Sequence, residues 1–317
     1  MIKNILSVSL MGFIVNALAM ETIFIGTGNI NGTYYPTGKH ICDFFNKTTD
    51  PIHTKNRCQA IPTEGSRYNI QALENSSLEF GIAQSDLVYQ AFMGEGVFKE
   101  KKISHLRSVI SIYPELLAFI VRKDAQITTF NDIKKKRINL GSAGSGTETT
   151  IEILFDTFHI SKNDLLQWSS LTIQDAQKVL NKNRLDGYFY MVGHPAKNII
   201  PTETNITVDI IPIQGKKVDK LIAKYPYYAK GYIPADTYKG ISKDIQSIGV
   251  QAVLVTHKDI DDKIVKKIIK NLLDNFEEFK LSHPAYKSIT KESLIQGLSA
   301  PLHKSAENYY KKIGLIQ

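Results

Sequence analysis

"IFIGTGNINGTYYPTG", residues 23–38, is the stretch whose reading decides the fold. A short apolar run passes without a break into Gly26, Gly28, Gly32 and Gly38, interleaved with hydroxyls and the pair Tyr34 and Tyr35. A strand that ends in glycine and threonine leaves backbone N–H groups open. A helix beginning just after it adds more, so such a turn can hold something small and negative. Gly26, Gly28 and Gly32 are spaced G-x-G-x-x-x-G, one residue longer than the dinucleotide fingerprint, which argues against a nucleotide. A plain strand-to-helix turn with no ligand stands beside the anion reading, because α/β folds contain many.

The residues upstream set the compartment. Lys3 precedes an apolar run from Ile5 to Leu18, and Ala17-Leu18-Ala19 supplies the small-x-small pattern of a cleavage site, so residues 1–19 read as a signal peptide. The run is short for a membrane span, although an uncleaved anchor is the alternative. No later segment has spanning length, and the mature chain is expected to be soluble after export. In an oxidising compartment Cys42 and Cys58 read as a disulfide worth about 3 kcal/mol, with two buried free thiols as the other reading. There is no zinc signature among them, and no cofactor is implied.

At 317 residues, 43% hydrophobic and 22% charged, the chain is long enough for two domains. The formal charge of +8 drops by one with Lys3, and the basic residues are dispersed. The run Lys134 to Arg137 reads as a solvated helix end, and nothing resembles a nucleic-acid module. "TIFIG", "RCQAI" and "LEFGIA" alternate with helical spacing over 37–46 and 66–74, the order expected of a parallel sheet. "LRSVISIYPELLAFIVR" is a longer strand pattern, after which new αβ units begin. This organisation predicts one lobe from residues 20–122 plus 235–317 and a second from 123–234, with hinges near Val121 to Lys123 and Gly231 to Pro234. A second glycine turn, "GSAGSGTE", follows the strand "RINL" and opens a helix. It lacks the Gly-Lys-Ser/Thr ending of a P-loop. Two such turns, one per lobe, can face each other across a cleft.

"GTGNINGTYYPTG", "IAQSD", "YPELLAFIVR", "GSAGSGTETT", "GHP", "YPYY", "IPADTY", "VLVT", "HPAY" and "GLSAPLHKSAENYYKKIG" together resemble the successive signatures of TAXI-type solute receptors of TRAP transporters, a group that includes the immunogenic 31 kDa antigens. The resemblance covers essentially all of the mature chain. It implies an α/β fold of the two-lobed periplasmic binding protein type II, each lobe a mostly parallel sheet flanked by helices. It also implies a monomer in the periplasm of a Gram-negative bacterium that captures glutamate, glutamine or a dicarboxylate and delivers it to a TRAP membrane permease. The family's paired cysteines correspond to Cys42 and Cys58. One departure is visible: where the family reads Thr-Gly-Gly-Ser, this chain has Thr63-Glu64-Gly65-Ser66. Glu64 is either a helix-start carboxylate or, if it points into the cleft, a group that repels dicarboxylates and favours an ammonium.

Loops at strand ends give the candidate ligand-binding residues. They are Thr33, Tyr34 and Tyr35 from the opening stretch, Glu64 and Ser66 at the second helix, and Gln84 and Ser85 after the third strand. The opposite lobe offers Ser142, Ser145, Gly146 and Thr147. Tyr113 and Glu115 fall near the first crossover, and Tyr188, with Asp186 close behind, near a strand end of the second lobe. His194 and His283 read as turn or packing residues. A transferase on the same architecture, of the hydroxymethylbilane synthase or phosphoribosyltransferase kind, is the competing class, and the sequence offers neither a clear cofactor-bearing cysteine nor a pyrophosphate loop.

Overall fold

The computed structural model describes residues 21–47, 56–196, 198–199 and 206–317. The expected signal peptide therefore lies outside the described residues. Among those residues, no helix is long and apolar enough to cross a membrane.

In chain order the elements are β1 (Glu21–Gly26), α1 (Tyr34–Lys47), β2 (Asn56–Ile61), α2 (Ser66–Glu74), β3 (Phe80–Gln84), α3 (Ser85–Met93) and β4 (Leu106–Arg122). There follow β5 (Arg137–Asn139), α4 (Gly146–Phe158), β6 (Gln167–Ser169), α5 (Ile173–Asn181), β7 (Gly187–Val192), β8 (Val208–Ile210), α6 (Lys216–Lys224) and β9 (Ala229–Ile233). The chain closes with β10 (Ile245–His257), α7 (Asp262–Asp274), α8 (Phe276–Leu281) and α9 (Lys304–Lys312).

The strands form a continuous sheet in the order β2-β1-β3-β10-β4-β7-β5-β6, with β8 on β4 and β9 on β10. Its two ends are parallel, β2-β1-β3 and β7-β5-β6, as the strand–helix alternation predicts. Its centre is antiparallel, because β4 and β10 run against each other and against β3 and β7. β4 has 17 residues, roughly 55 Å of extended chain, enough to serve both ends of the sheet. From Leu106 to Leu116 it pairs with β10, from Leu116 onward with β7, and from Ile120 with β8 as well. β10 makes the reciprocal change at Gly249, where its pairing passes to β9.

That change of partners is packed by one side chain. A Cβ on Gly249 would lie 2.6 Å from Leu116 Cδ2, and one on Gly231 2.3 Å from the same atom, so Leu116 occupies a notch that only glycines leave open. Its carbonyl accepts a hydrogen bond from His194 Nε2 at 3.0 Å, which leaves Nδ1 to accept from the Tyr238 hydroxyl at 2.7 Å. Burial pushes the His194 pKa down to about 4, so the ring is neutral and acts as a packing residue.

Each half has its own apolar layer. Ile23, Ile41, Phe45, Ile268 and Tyr286 pack on one side of the first, and Ile138, Leu154, Phe155 and Phe189 in the second. Cys42 in α1 and Cys58 in β2 are joined by a disulfide, tying the first helix to the edge strand. The carboxyl of Asp186 is held below the usual range by hydrogen bonds from Arg137 against the opposing effect of burial, and it contacts Arg122 as well. This ion cluster lies at the start of β7, remote from the strand ends that matter below.

Candidate functional site

In a parallel sheet, helices begin where strands end, so helix N-termini collect at the carboxyl edge of the strands. Both halves follow this rule, and the two edges meet around one cavity. It is lined by Gly28, Thr33 and Tyr34 at the start of α1, Glu64 to Ser66 at the start of α2, and Gln84 before α3. The second half adds Ser142, Ser145, Gly146 and Thr147 at the start of α4, and Leu171 and Ile173 at the start of α5. Glu115 from β4 and residues 189–192 of β7 complete the wall of a cavity of about 80 Å³. At about 10–15 Å³ per water, that is room for several waters or a compact ligand.

The start of α4 is built to present donors. Ser145 caps the helix by accepting from Glu148 N at 3.2 Å, and Glu148 in turn accepts from Gly144 N and from Ser170. The amides of Gly146 and Thr147 have no hydrogen-bond partner among the described residues, at the positive end of the helix. Thr147 Oγ accepts from Met191 N at 3.1 Å, which keeps its hydroxyl hydrogen available. Asn139 accepts from Leu171 N at 2.7 Å and so fixes the loop that brings Leu171 and Ile173 to the wall.

On the first half, the Tyr34 hydroxyl donates to Glu115 Oε2 at 2.7 Å. Burial pushes the Glu115 carboxyl up to about 8; the Tyr34 bond opposes the shift, and the neighbouring Asp86 adds to it. Gln84 is 2% exposed, and neither its amide nitrogen nor its amide oxygen has a partner among the described residues. Its backbone N–H donates to Ser66 Oγ at 3.1 Å. Glu64 is exposed and sits at the mouth. No lysine or arginine lines the cavity among the described residues.

Several contacts cross between the halves. Gln174 Nε2 donates to Asn29 Oδ1 at 2.8 Å, and the buried Asp86 accepts from Tyr228 at 3.0 Å and Thr150 at 3.3 Å. The halves are thus closed on each other in this structure. No group of three or more His, Cys, Asp or Glu side chains suited to a metal occurs among the described residues.

Ten of the fourteen residues expected at the site line the cavity: Thr33, Tyr34, Glu64, Ser66, Gln84, Glu115, Ser142, Ser145, Gly146 and Thr147. Four do not, each for a local reason. Tyr35 is one position on from Tyr34 along α1, about 100° around the helix, and faces an outer groove with Ile30 and Lys39. Ser85 Oγ turns toward β10, where it accepts from Gln251 N at 3.0 Å. Tyr113 lies two residues deeper on β4, against Tyr286 at 5.2 Å between ring centroids and close to the bare backbone of Gly193. Tyr188 is fully buried and donates to the Ile199 carbonyl. The tyrosine that reaches the wall is Tyr190, two residues further along β7, with its hydroxyl close to Gly32. Sequence reasoning also missed Asn29, Asn139 and the apolar Phe189 and Met191; the only available signal was their position at or near a strand's carboxyl end.

Known proteins agree with this architecture. A protein described as an L-cystine ABC transporter of Listeria monocytogenes superposes with a TM-score of 0.52 at 12% identity, covering 90% of this chain and 99% of that one. A Bordetella bronchiseptica protein gives a TM-score of 0.55 at 11% identity, with 92% and 98% covered. At such identity the likeness concerns the fold, a mixed α/β arrangement with a central sheet flanked by helices, as in type II periplasmic binding proteins. The model of the NMT1-like family matches residues 25–314. With nearly all of its described length inside that match, the chain belongs to the NMT1-like family.

Proposed function

We propose that this protein is a solute receptor that captures a small amino acid or organic anion between its halves and hands it to a membrane permease without altering it. The observation that carries this reading is the cavity itself. It is enclosed by helix starts from both halves, which are linked by only a few extended strands, so a ligand touching both sides favours the closed form. The lobes in this reading are those expected from the sequence, residues 20–122 with 235–317 and residues 123–234, with the short stretches 117–122 and 235–248 moving with the second, since their strands pair with β7, β8 and β9. The pivot is placed at Leu116 and Gly249, where β4 and β10 exchange partners, rather than near Val121, which is held in the sheet by β7 and β8. The disulfide and the signal-like leader support a periplasmic location. The motif set favours a TRAP-type permease, whereas the Listeria neighbour is described as part of an ABC transporter. Uptake that survives ATP depletion but stops when the ion gradient is collapsed distinguishes the first from the second.

Native protein should release one small molecule on denaturation, identified by mass spectrometry. Adding that molecule to the emptied protein should reduce its radius of gyration in small-angle scattering. Steady conversion of the molecule to a product would replace the receptor reading with an enzymatic one.

A further inference from the structure

The cavity carries a charge pattern that narrows its ligand. Glu115 is 2% exposed, and among the described residues its one hydrogen-bond donor is Tyr34. Glu64 stands at the mouth, and no basic side chain lines the wall among the described residues. A buried carboxylate without a cation is costly, so such a group either stays protonated or waits for a positive partner. The Gln84 amide, which lines the same cavity and is buried with both polar atoms unpaired among the described residues, has a carbonyl oxygen to accept and an N–H pair to donate. Opposite lie the free amides of Gly146 and Thr147, donors at a helix start that suit one carboxylate. The remaining wall, Leu171, Ile173, Phe189, Met191 and Val192, is apolar.

We infer that the ligand is a zwitterionic α-amino acid with an uncharged side chain, its ammonium on Glu115 and Gln84 and its single carboxylate on the start of α4. The inference rests on the receptor reading and sharpens it. A second anionic group, as in glutamate or 2-oxoglutarate, would enter a cavity with two carboxylates and no cation to meet it. A 2-oxo acid would also leave Glu115 without its positive partner. Truncating one side of a buried, hydrogen-bonded charge pair costs about 30-fold or more in affinity.

The test is calorimetric titration of the emptied full-length exported protein with alanine, leucine, glutamine, glutamate, 2-oxoglutarate and the 2-oxo acids of alanine, leucine and glutamine. At least one neutral amino acid should bind about 30-fold more tightly than glutamate and than its own 2-oxo counterpart. Glu115→Gln, which keeps the shape and the Tyr34 contact, should reduce neutral amino acid binding by a similar factor and narrow the gap to the 2-oxo acid; its melting curve shows whether it is folded. If Glu115→Gln fails to fold, the wild-type comparison of amino acid with 2-oxo acid decides alone. Equal or tighter binding of glutamate or 2-oxoglutarate would overturn the inference and leave the receptor reading standing. Failure of every amino acid and organic acid to bind would overturn both.

Discussion

The carboxamide of Gln84 lies directly on Gly146 across the closed cavity: a Cβ on Gly146 would fall 1.4 Å from Gln84 Oε1. Gln84 belongs to the first half and Gly146 to the second, so this contact exists only when they are together. Gly146 has an ordinary helical backbone, and its missing side chain serves the approach rather than a strained turn. Gly146→Ala should fold as well as the wild type, since alanine is the better helix former. It should close less, with a larger radius of gyration at saturating ligand and an affinity lower by about tenfold or more. Gln84→Gly in the same chain should restore the compact radius. A compact Gly146→Ala protein would show that the contact does not govern closure.

Glu115 makes stability depend on pH in a definite direction. Its carboxyl, ordinarily near 4.5, is pushed up to about 8 by burial, so the folded protein holds this proton more tightly than the unfolded chain does. That contribution is present in full below about pH 4.5 and is lost as pH rises through 8. Asp86, raised by burial to about 6, acts with the same sign over the lower part of this window. Tyr34 and Tyr190 also face Glu115, and their own shifts lie above the window. The ligand-free Glu115→Gln variant should therefore gain stability relative to wild type as pH is raised from 5 to 8, measured by urea unfolding. A constant difference across that range would show that Glu115 is ionised throughout.

Much of this site is written locally. The two glycine turns line the cavity because a strand end followed by a helix start needs nothing distant to expose its amides, and Ser66 and Gln84 follow from the same rule. What depends on depth was not legible. Tyr113 and Glu115 share one face of β4, yet Tyr286, far along the chain, covers the first and leaves the second open. Tyr188 and Tyr190 share a face of β7, and only the extent of the strand decides which reaches its end. The antiparallel centre of the sheet was likewise hidden, because the direction of β4 and β10 follows from their partners and not from their own apolar pattern.

The Cys42–Cys58 bond should matter to stability and little to binding. It closes a segment of sequence separation 16 and starts about two turns along α1 from Tyr34, and such a loop constrains the unfolded chain by about 3 kcal/mol. Cys42→Ala with Cys58→Ala should lower the unfolding free energy by roughly that amount while ligand affinity stays within about twofold. A large loss of affinity in a folded double variant would mean that the bond shapes the start of α1.

Asp86 is the second link between the halves, and its charge makes it a sharper probe of closure than any ligand contact. It sits in the first turn of α3, fully buried, with Leu87 N donating to Oδ1 at 2.9 Å and Tyr228 and Thr150 from the other half donating to Oδ2. Burial raises its pKa to about 6 against the pull of these bonds, so at pH 7.5 it is ionised and depends on them. Tyr228→Phe keeps the ring among Tyr225 and Tyr227 but removes one donor from a buried carboxylate. Leaving a buried charged acceptor short of a partner costs about 1–3 kcal/mol, and the open form, in which water can reach Asp86, escapes that cost. Tyr228→Phe should therefore weaken ligand binding at pH 7.5 by about 5- to 150-fold without touching the ligand. The ratio of variant to wild-type affinity should rise toward one below pH 6, where Asp86 is neutral, and taking the ratio at each pH removes the effect of Glu115. A ratio that stays near one at every pH would mean that the Tyr228 bond is not part of what holds the halves together.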